Sequence, residues 1–172
     1  GHHHNLDRLK PYGLPWRPMT TTQATPALSI IIPCYNEEKN LEHGVLEEVH
    51  GYLANQTLSW EVLIVNDAST DRSRELVAAF TADKPRYQLI DIPHGGKPAA
   101  VWAGVQAARG DVILFTDMDQ STPISEWVKL QPWYDRGYDV VIGSRGRTRE
   151  GSSILRKVGS VVFLTLRHLV LH

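Results

Sequence analysis

Short apolar runs alternating with helix-patterned segments constrain this chain more than any other feature of its sequence. "ALSIIIP" (27–33), "WEVLIVND" (60–67), "RYQLIDI" (86–92), "DVILFTD" (111–117) and "YDVVIGS" (138–144) each read as a strand. Continuous β-branched runs such as the first two belong to strands buried on both faces, the pattern of a parallel sheet. Between them, "EEKNLEHGVLEEVHGYLANQ" sets Leu41, Val45, Leu46, Val49 and Leu53 at helical spacing. "STDRSRELVAAFTAD" opens with capping residues and continues as a helix. "KPAAVWAGVQAARG" is a helix expected to end with Gly110 as its C′ residue, and "ISEWVKLQPWYDRG" is another. Trp102, Trp127 and Trp133 fall at apolar helix positions and are expected in the core. The alternation predicts an α/β fold: a doubly wound, mostly parallel, Rossmann-like sheet with helices on both faces.

The ends of the chain read differently. "GHHH" (1–4) is a tag remnant, and residues 5–26, rich in Pro and Thr, read as an N-terminal arm. Residues 27–150 form the expected core. Residues 151–172 read as an apolar helix that ends without a cap, so the chain is expected to be part of a longer protein. Arg167 and His168 interrupt that segment, and no apolar run reaches the roughly 20 residues that span a bilayer. At 42% hydrophobic and 22% charged residues the composition is that of a globular protein. A formal net charge of -1 gives no global attraction to nucleic acid, so an anion site must be local. Cys34 is the single cysteine, which excludes an internal disulfide.

Polar clusters stand just past the strand ends: "PCYNE", "NDAST", "HGGKP", "DMDQS" and "GSRGR". Ligands of doubly wound sheets bind at the carboxyl ends of the strands, so one site explains all five clusters. Asp117 and Asp119, at i and i+2 of an expected strand, can face one point, where a Mg²⁺ or Mn²⁺ ion would relieve their repulsion. Ser121 or Gln120 could assist. The competing reading makes these helix-capping residues. Pro33, Tyr35 and Glu37 follow the first strand, although Glu37 also suits an ordinary first helical turn. Asp67 could accept from base or ribose donors, or serve as an N-cap. Gly95, Gly96 and Lys97 combine backbone amides with a charge, a combination that suits a diphosphate or, more plainly, a glycine turn. His94 reads as a loop residue. Arg145, Arg147, Arg149, Arg156 and Lys157 form a basic stretch suited to phosphate at a membrane surface or to a solvated loop.

The ordered segments "SIIIPCYNEEKNL", "VLIVNDASTDRS", "GGKPAAVWAGVQAARGDVILFTDMDQSTP" and "VVIGSR" together resemble the family-two inverting glycosyltransferases of GT-A fold. The subgroup that transfers sugar to dolichyl or polyprenyl phosphate, with its glucosyltransferases and mannose synthases, is most similar. The resemblance implies that Pro33, Tyr35, Glu37 and Asp67 hold the base and ribose of a nucleotide sugar, with Lys97 near the diphosphate or the sugar. It implies Asp117 near the sugar and metal, Asp119 as direct metal ligand with Ser121, and Arg145, Arg156 and Ser160 on the acceptor phosphate. Met118 stands where a small residue is more usual. The expected activity is transfer of a hexose from a UDP-glucose or GDP-mannose type donor to a polyprenyl phosphate, with inversion, at the cytoplasmic face of a membrane. Asp117, Asp119 and Arg145 are its expected catalytic residues. The alternatives are a glycosyltransferase with a soluble or polysaccharide acceptor, a non-catalytic sugar-nucleotide binding module, and a nucleotidyltransferase.

Overall fold

In the computed structural model, which describes residues 25–143, the first apolar run forms β1 (Leu28–Cys34) at the interior of a four-stranded sheet. β2 (Trp60–Asn66) pairs parallel with one edge of β1, and β4 (Val112–Phe115) pairs parallel with the other. β3 (Tyr87–Asp91) extends the sheet beyond β2, giving the order β3-β2-β1-β4. All pairings are parallel, as the unalternating runs required.

β1 and β2 are buried along almost their whole length. Ile31, Leu63, Val65 and Ile90 lie under α4 (Gly96–Ala107), against Ala100 and Ala103. The alternate residues Ile30, Ile32, Val62 and Ile64 are also fully buried, so both faces of the sheet are covered. α1 (Glu38–Glu42), α2 (Val45–Ala54) and α3 (Ser73–Thr81) bring further buried apolar residues, Leu41, Leu46, Val49, Leu53 and Val77. Burying one leucine or isoleucine side chain contributes about 1.5–3 kcal/mol, and the central strands bury nearly every one they carry.

The structure corrects several expectations. The helix over 37–56 is two helices, broken at Gly44, whose φ of 80° is left-handed. Gly110 is not a left-handed C′ residue: α4 ends at Ala107, and Ala108 is already extended. Glycine is needed at 110 for a different reason, because a Cβ there would lie 2.6 Å from the Ser29 amide nitrogen. "ISEWVKLQPWYDRG" folds as a 3₁₀ helix (Ile124–Lys129) and a short α5 (Gln131–Tyr134). Pro132 lacks the N–H that a continuous α-helix would direct to the carbonyl four residues back. Trp102 and Trp133 are exposed rather than core. The fifth strand does not form among the described residues: 138–143 is irregular, with Val140 and Ile142 exposed. A strand needs a paired ladder, and that stretch has none.

The chain divides into two compact units, one ending at Ser121 and the other beginning at Thr122. In the second, Trp133 packs edge-on against Tyr138 and carries Arg136 over its ring. No helix of the described residues is long and apolar enough to cross a membrane.

Candidate active site

The first unit carries every described candidate residue, at or just past the carboxyl ends of its strands. Among the described residues three non-glycine residues have left-handed backbones, and all three are on the loops past the strand ends: Asn36 after β1, Ala68 after β2 and Gln120 after β4. Such conformations cost free energy and persist where surrounding contacts hold them.

For the first two loops those contacts are explicit. Asn36 Oδ1 accepts from the Thr70 amide (2.8 Å), and the Asn36 amide donates to Ser69 Oγ (3.1 Å). The Glu37 amide donates to Ser73 Oγ (2.7 Å) and the Glu38 amide to Asp71 Oδ2 (3.2 Å). Burial opposes charge on Asp71, but hydrogen bonds from the Ser73 hydroxyl and amide and from the Glu38 amide outweigh it and hold the carboxyl below its ordinary range. Glu37 is engaged locally, accepting from Asn40 Nδ2 (2.6 Å). A groove of about 650 Å³ lies beside α1, lined by Glu37, Glu38, Glu42 and Asp71 among others. Its acids would repel a diphosphate.

Asp67 is buried, and its carboxylate clamps the next loop. Oδ1 accepts from the Gly95 amide (2.7 Å), Oδ2 from the Gly96 amide (2.9 Å), and His94 Nδ1 lies 3.0 Å from Oδ2. Gly96, at φ 78°, allows the turn that aims both amides inward. The clamp sets where α4 begins and hence where Lys97 stands. Lys97 Nζ in turn makes an ion pair with Asp117 Oδ1, tying this loop to the one after β4.

The sequence expected Asp117 and Asp119 on one strand face, but β4 ends at Phe115. The two acids sit in a turn in which the Gln120 amide donates to the Asp117 carbonyl (3.3 Å) and the Ser121 amide to Asp119 Oδ1 (2.9 Å). Met118 points inward and is buried, which leaves Asp117 half-exposed and Asp119 exposed. The carboxylates are presented by a turn anchored through a buried methionine.

Pro33 is half-buried near the end of β1, and Tyr35 is exposed just beyond, its ring 4.8 Å from that of His94 and tilted by 34°. Cys34 lies between them but is fully buried. Burial, and then the charge of Glu37, push its thiol up to about 12, so it is no nucleophile. Tyr35, Asp67, Lys97 and Asp117 are thus joined through His94 and through contacts between adjacent loops. Asp119 and Ser121 share the acidic turn, while Glu37 turns toward α1. Arg145, Arg156 and Ser160 lie outside the described residues. Sequence reading passed over His94 as a loop residue. The available signal was its position, directly before the glycine pair and one strand away from Asp67, a candidate acid in need of a partner.

Two carboxylates, a lysine at a glycine turn and an exposed aromatic ring thus stand on one rim of a parallel sheet. Residues 29–168 match the model of glycosyl transferase family 2, and the chain belongs to that family. It is 34% identical over 151 residues to a dolichyl-phosphate beta-glucosyltransferase of Trichomonas vaginalis, covering 81% of this chain and 46% of the relative. It is 33% identical over 135 residues to an undecaprenyl-phosphate 4-deoxy-4-formamido-L-arabinose transferase of Pectobacterium atrosepticum, covering 77% and 40%. The chain thus spans less than half the length of these relatives. Among solved structures, a mannosyltransferase from Pyrobaculum calidifontis, in complex with GDP-Man and Mn²⁺, superimposes with a TM-score of 0.50 at 24% identity, covering 67% of this chain and 34% of that one. The fold is of GT-A type.

Proposed function

We propose that this chain carries the donor-binding core of an inverting hexosyltransferase that moves a sugar from a nucleotide donor of UDP-glucose or GDP-mannose type to a polyprenyl or dolichyl phosphate. The observation that carries the reading is the linked rim: Tyr35, Asp67, Lys97 and Asp117 each follow a different strand, and hydrogen bonds, ion pairing and ring contact connect the segments that carry them. The two polyprenyl-phosphate relatives support the acceptor class. Residues 27–150 would form the donor core and 151–172 the acceptor side, at the cytoplasmic surface of a membrane.

In this reading Tyr35, with Pro33 and Glu37 on the same loop, bounds the base and ribose, and Asp67 shapes that end of the site. Lys97 faces the diphosphate. A divalent ion fits the acidic turn, because Asp117, Asp119 and Ser121 offer only oxygen donors, which Mg²⁺ and Mn²⁺ prefer. No three His, Cys, Asp or Glu side chains gather into a metal site among the described residues, so such an ion would share its coordination with the donor's phosphates and water. When bound, it would neutralise charge on the departing diphosphate.

The reaction is a single displacement. An oxygen of the acceptor phosphate forms a bond to the anomeric carbon while the bond from that carbon to the nucleoside diphosphate breaks, which inverts the centre. A lipid phosphate is already ionised near neutral pH and needs no general base, whereas an alcohol acceptor would need one. Arg145, Arg156 and Ser160 are proposed to receive that phosphate. Lys97 exchanges its Asp117 partner for the donor's phosphates as the donor enters.

Calorimetric titration of UDP and GDP, with and without Mn²⁺, into this chain and into Asp119→Ala tests the donor site. Metal-dependent binding of one nucleotide, lost in the variant, is expected. Absence of binding by folded protein would overturn the reading. The acceptor is tested in the full-length protein, where radiolabelled sugar should pass to polyprenyl phosphate and not to a soluble alcohol.

A further inference from the structure

We infer that Lys97 holds divalent ions off Asp117 until a diphosphate draws it away, so that metal and donor bind as a linked pair. The inference rests on the rim being a nucleotide-sugar site and adds how the charges of that site are exchanged.

Lys97 is placed against its local preference. It lies in the first turn of α4, a helix of 12 residues whose first turn carries no acidic side chain. The partial positive charge at a helix amino terminus disfavours a cation there. The ammonium pairs instead with Asp117 Oδ1, beyond the end of β4. Side-chain exposures of 52% and 46% leave this pair half in water. Such pairs contribute little to stability, so neither the helix nor the ion pair accounts for a lysine at this position.

Asp117 is also one of the two carboxylates of the acidic turn that fits Mg²⁺ or Mn²⁺. Asp119 is the other, and its Oδ1 already accepts from the Ser121 amide (2.9 Å). Among the described residues no third acid, histidine or cysteine joins them in a metal-holding group. Binding of an ion at this turn therefore depends on Asp117, whose charge Lys97 neutralises. Lys97 and the ion compete for one carboxylate, and their like charge keeps them apart. A diphosphate resolves the competition, because its oxygens can accept from the lysine and also complete the coordination of the ion. The coupling is reciprocal: nucleotide raises the affinity for metal by the same factor as metal raises the affinity for nucleotide.

Mn²⁺ affinity without nucleotide, read from the paramagnetic resonance of the free ion, tests this on the unmodified chain, on Lys97→Met and on Lys97→Arg. Lys97→Met should bind Mn²⁺ about threefold to fivefold more tightly, the size of one good exposed ion pair. Lys97→Arg keeps the charge and should match the unmodified chain. The gain should vanish when Asp119→Asn is added to Lys97→Met. That control separates the acidic turn from the tag remnant and from the acidic groove beside α1 as sources of bound metal. With UDP or GDP present, the factor by which nucleotide tightens Mn²⁺ should be smaller in Lys97→Met than in the unmodified chain. Lys97→Gln reads the same quantities if the methionine variant does not fold. Replacing a merely structural lysine would leave metal affinity unchanged or lower it. Mn²⁺ bound no more tightly by the folded neutral variants overturns the role of Lys97 and leaves the donor site standing. Failure of the unmodified chain to bind UDP or GDP with Mn²⁺ overturns the donor site and the release of Lys97 with it.

Discussion

The two ends of the same sheet use polar residues in opposite ways. At the amino end, Ser29 Oγ donates to Glu61 Oε1 (2.7 Å), the Arg109 amide donates to the same oxygen (2.8 Å), and the Arg109 guanidinium holds Oε2 with its Nε at 2.9 Å. The Gly110 amide donates back to Ser29 Oγ (2.8 Å), and both Ser29 and Glu61 are buried. This network closes on itself and joins the start of β1 and β2 to the chain leaving α4. At the carboxyl end, Tyr35, His94, Lys97, Asp117 and Asp119 keep substantial exposure, and only Asp67 is sealed. Closed networks fix a fold, and partly open ones on a strained rim are placed to meet a ligand.

Substitutions should separate the two ends. The largest effect is expected from Glu61→Ala, which strands Ser29, Gly110 and part of Arg109. Loss of a buried charge partner costs about 3–5 kcal/mol, and the 44% exposure of Arg109 argues for the lower figure. A urea midpoint far below that of the unmodified chain, with nucleotide affinity retained while folded, is the expected result. An unchanged midpoint would show that the clamp contributes nothing. Gly110→Ala should cost about 2 kcal/mol, because its Cβ would press on the backbone of Ser29 and Leu28, which cannot swing aside. Asp119→Asn should do the reverse. Stability should hold within about 0.5 kcal/mol, since the side chain is exposed and an amide oxygen can still accept from Ser121. Metal-dependent nucleotide binding should weaken by at least about tenfold.

The two titrations are smaller. The Cys34 thiol is raised from 9.0 to about 12, so it favours the fold while protonated, and that advantage declines once the unfolded thiol ionises. By pH 10 this amounts to about 1.4 kcal/mol, read as a steeper alkaline loss of stability than in Cys34→Ala. Native Cys34 should also resist alkylation that the unfolded chain undergoes readily. The Asp71 carboxyl is held below its ordinary value. Its contribution is therefore present above about pH 4 and lost as pH falls through the lowered folded value. Asp71→Asn should flatten the acid limb of the stability profile, because what it removes is a contribution present at neutral pH and already absent at the acid end. An acid limb as steep as before would remove Asp71 from the account.

The carboxyl end was more legible in the sequence than the amino end. Strands announced themselves through unbroken β-branched runs, and once they were parallel, the residues after them had to share a rim. The clamp escaped notice because Ser29 and Glu61 are single polar residues inside apolar runs, where spacing says nothing about partners. Glu61 between Trp60 and Val62 was itself a signal, since a charge inside a doubly buried strand requires a partner. Gly110 was misread because helix-ending and close-packing glycines look alike in sequence. The acidic turn was misplaced on a strand because Met118, read as merely unusual, is the buried anchor that curls the backbone. The fifth run failed for a different reason: apolar composition supplies strand tendency but not a neighbouring ladder.

The strand order has a consequence for biosynthesis. β1 takes β2 on one side soon after both are made, but its other side waits for β4, the last of the described strands to be translated. Until then the nascent chain offers a hydrogen-bonding edge flanked by isoleucines, a template for pairing with other unfinished chains. A ribosome that stalls between α3 and β4 would therefore release an aggregation-prone intermediate. Codon changes that slow this stretch should lower soluble yield without altering the finished protein.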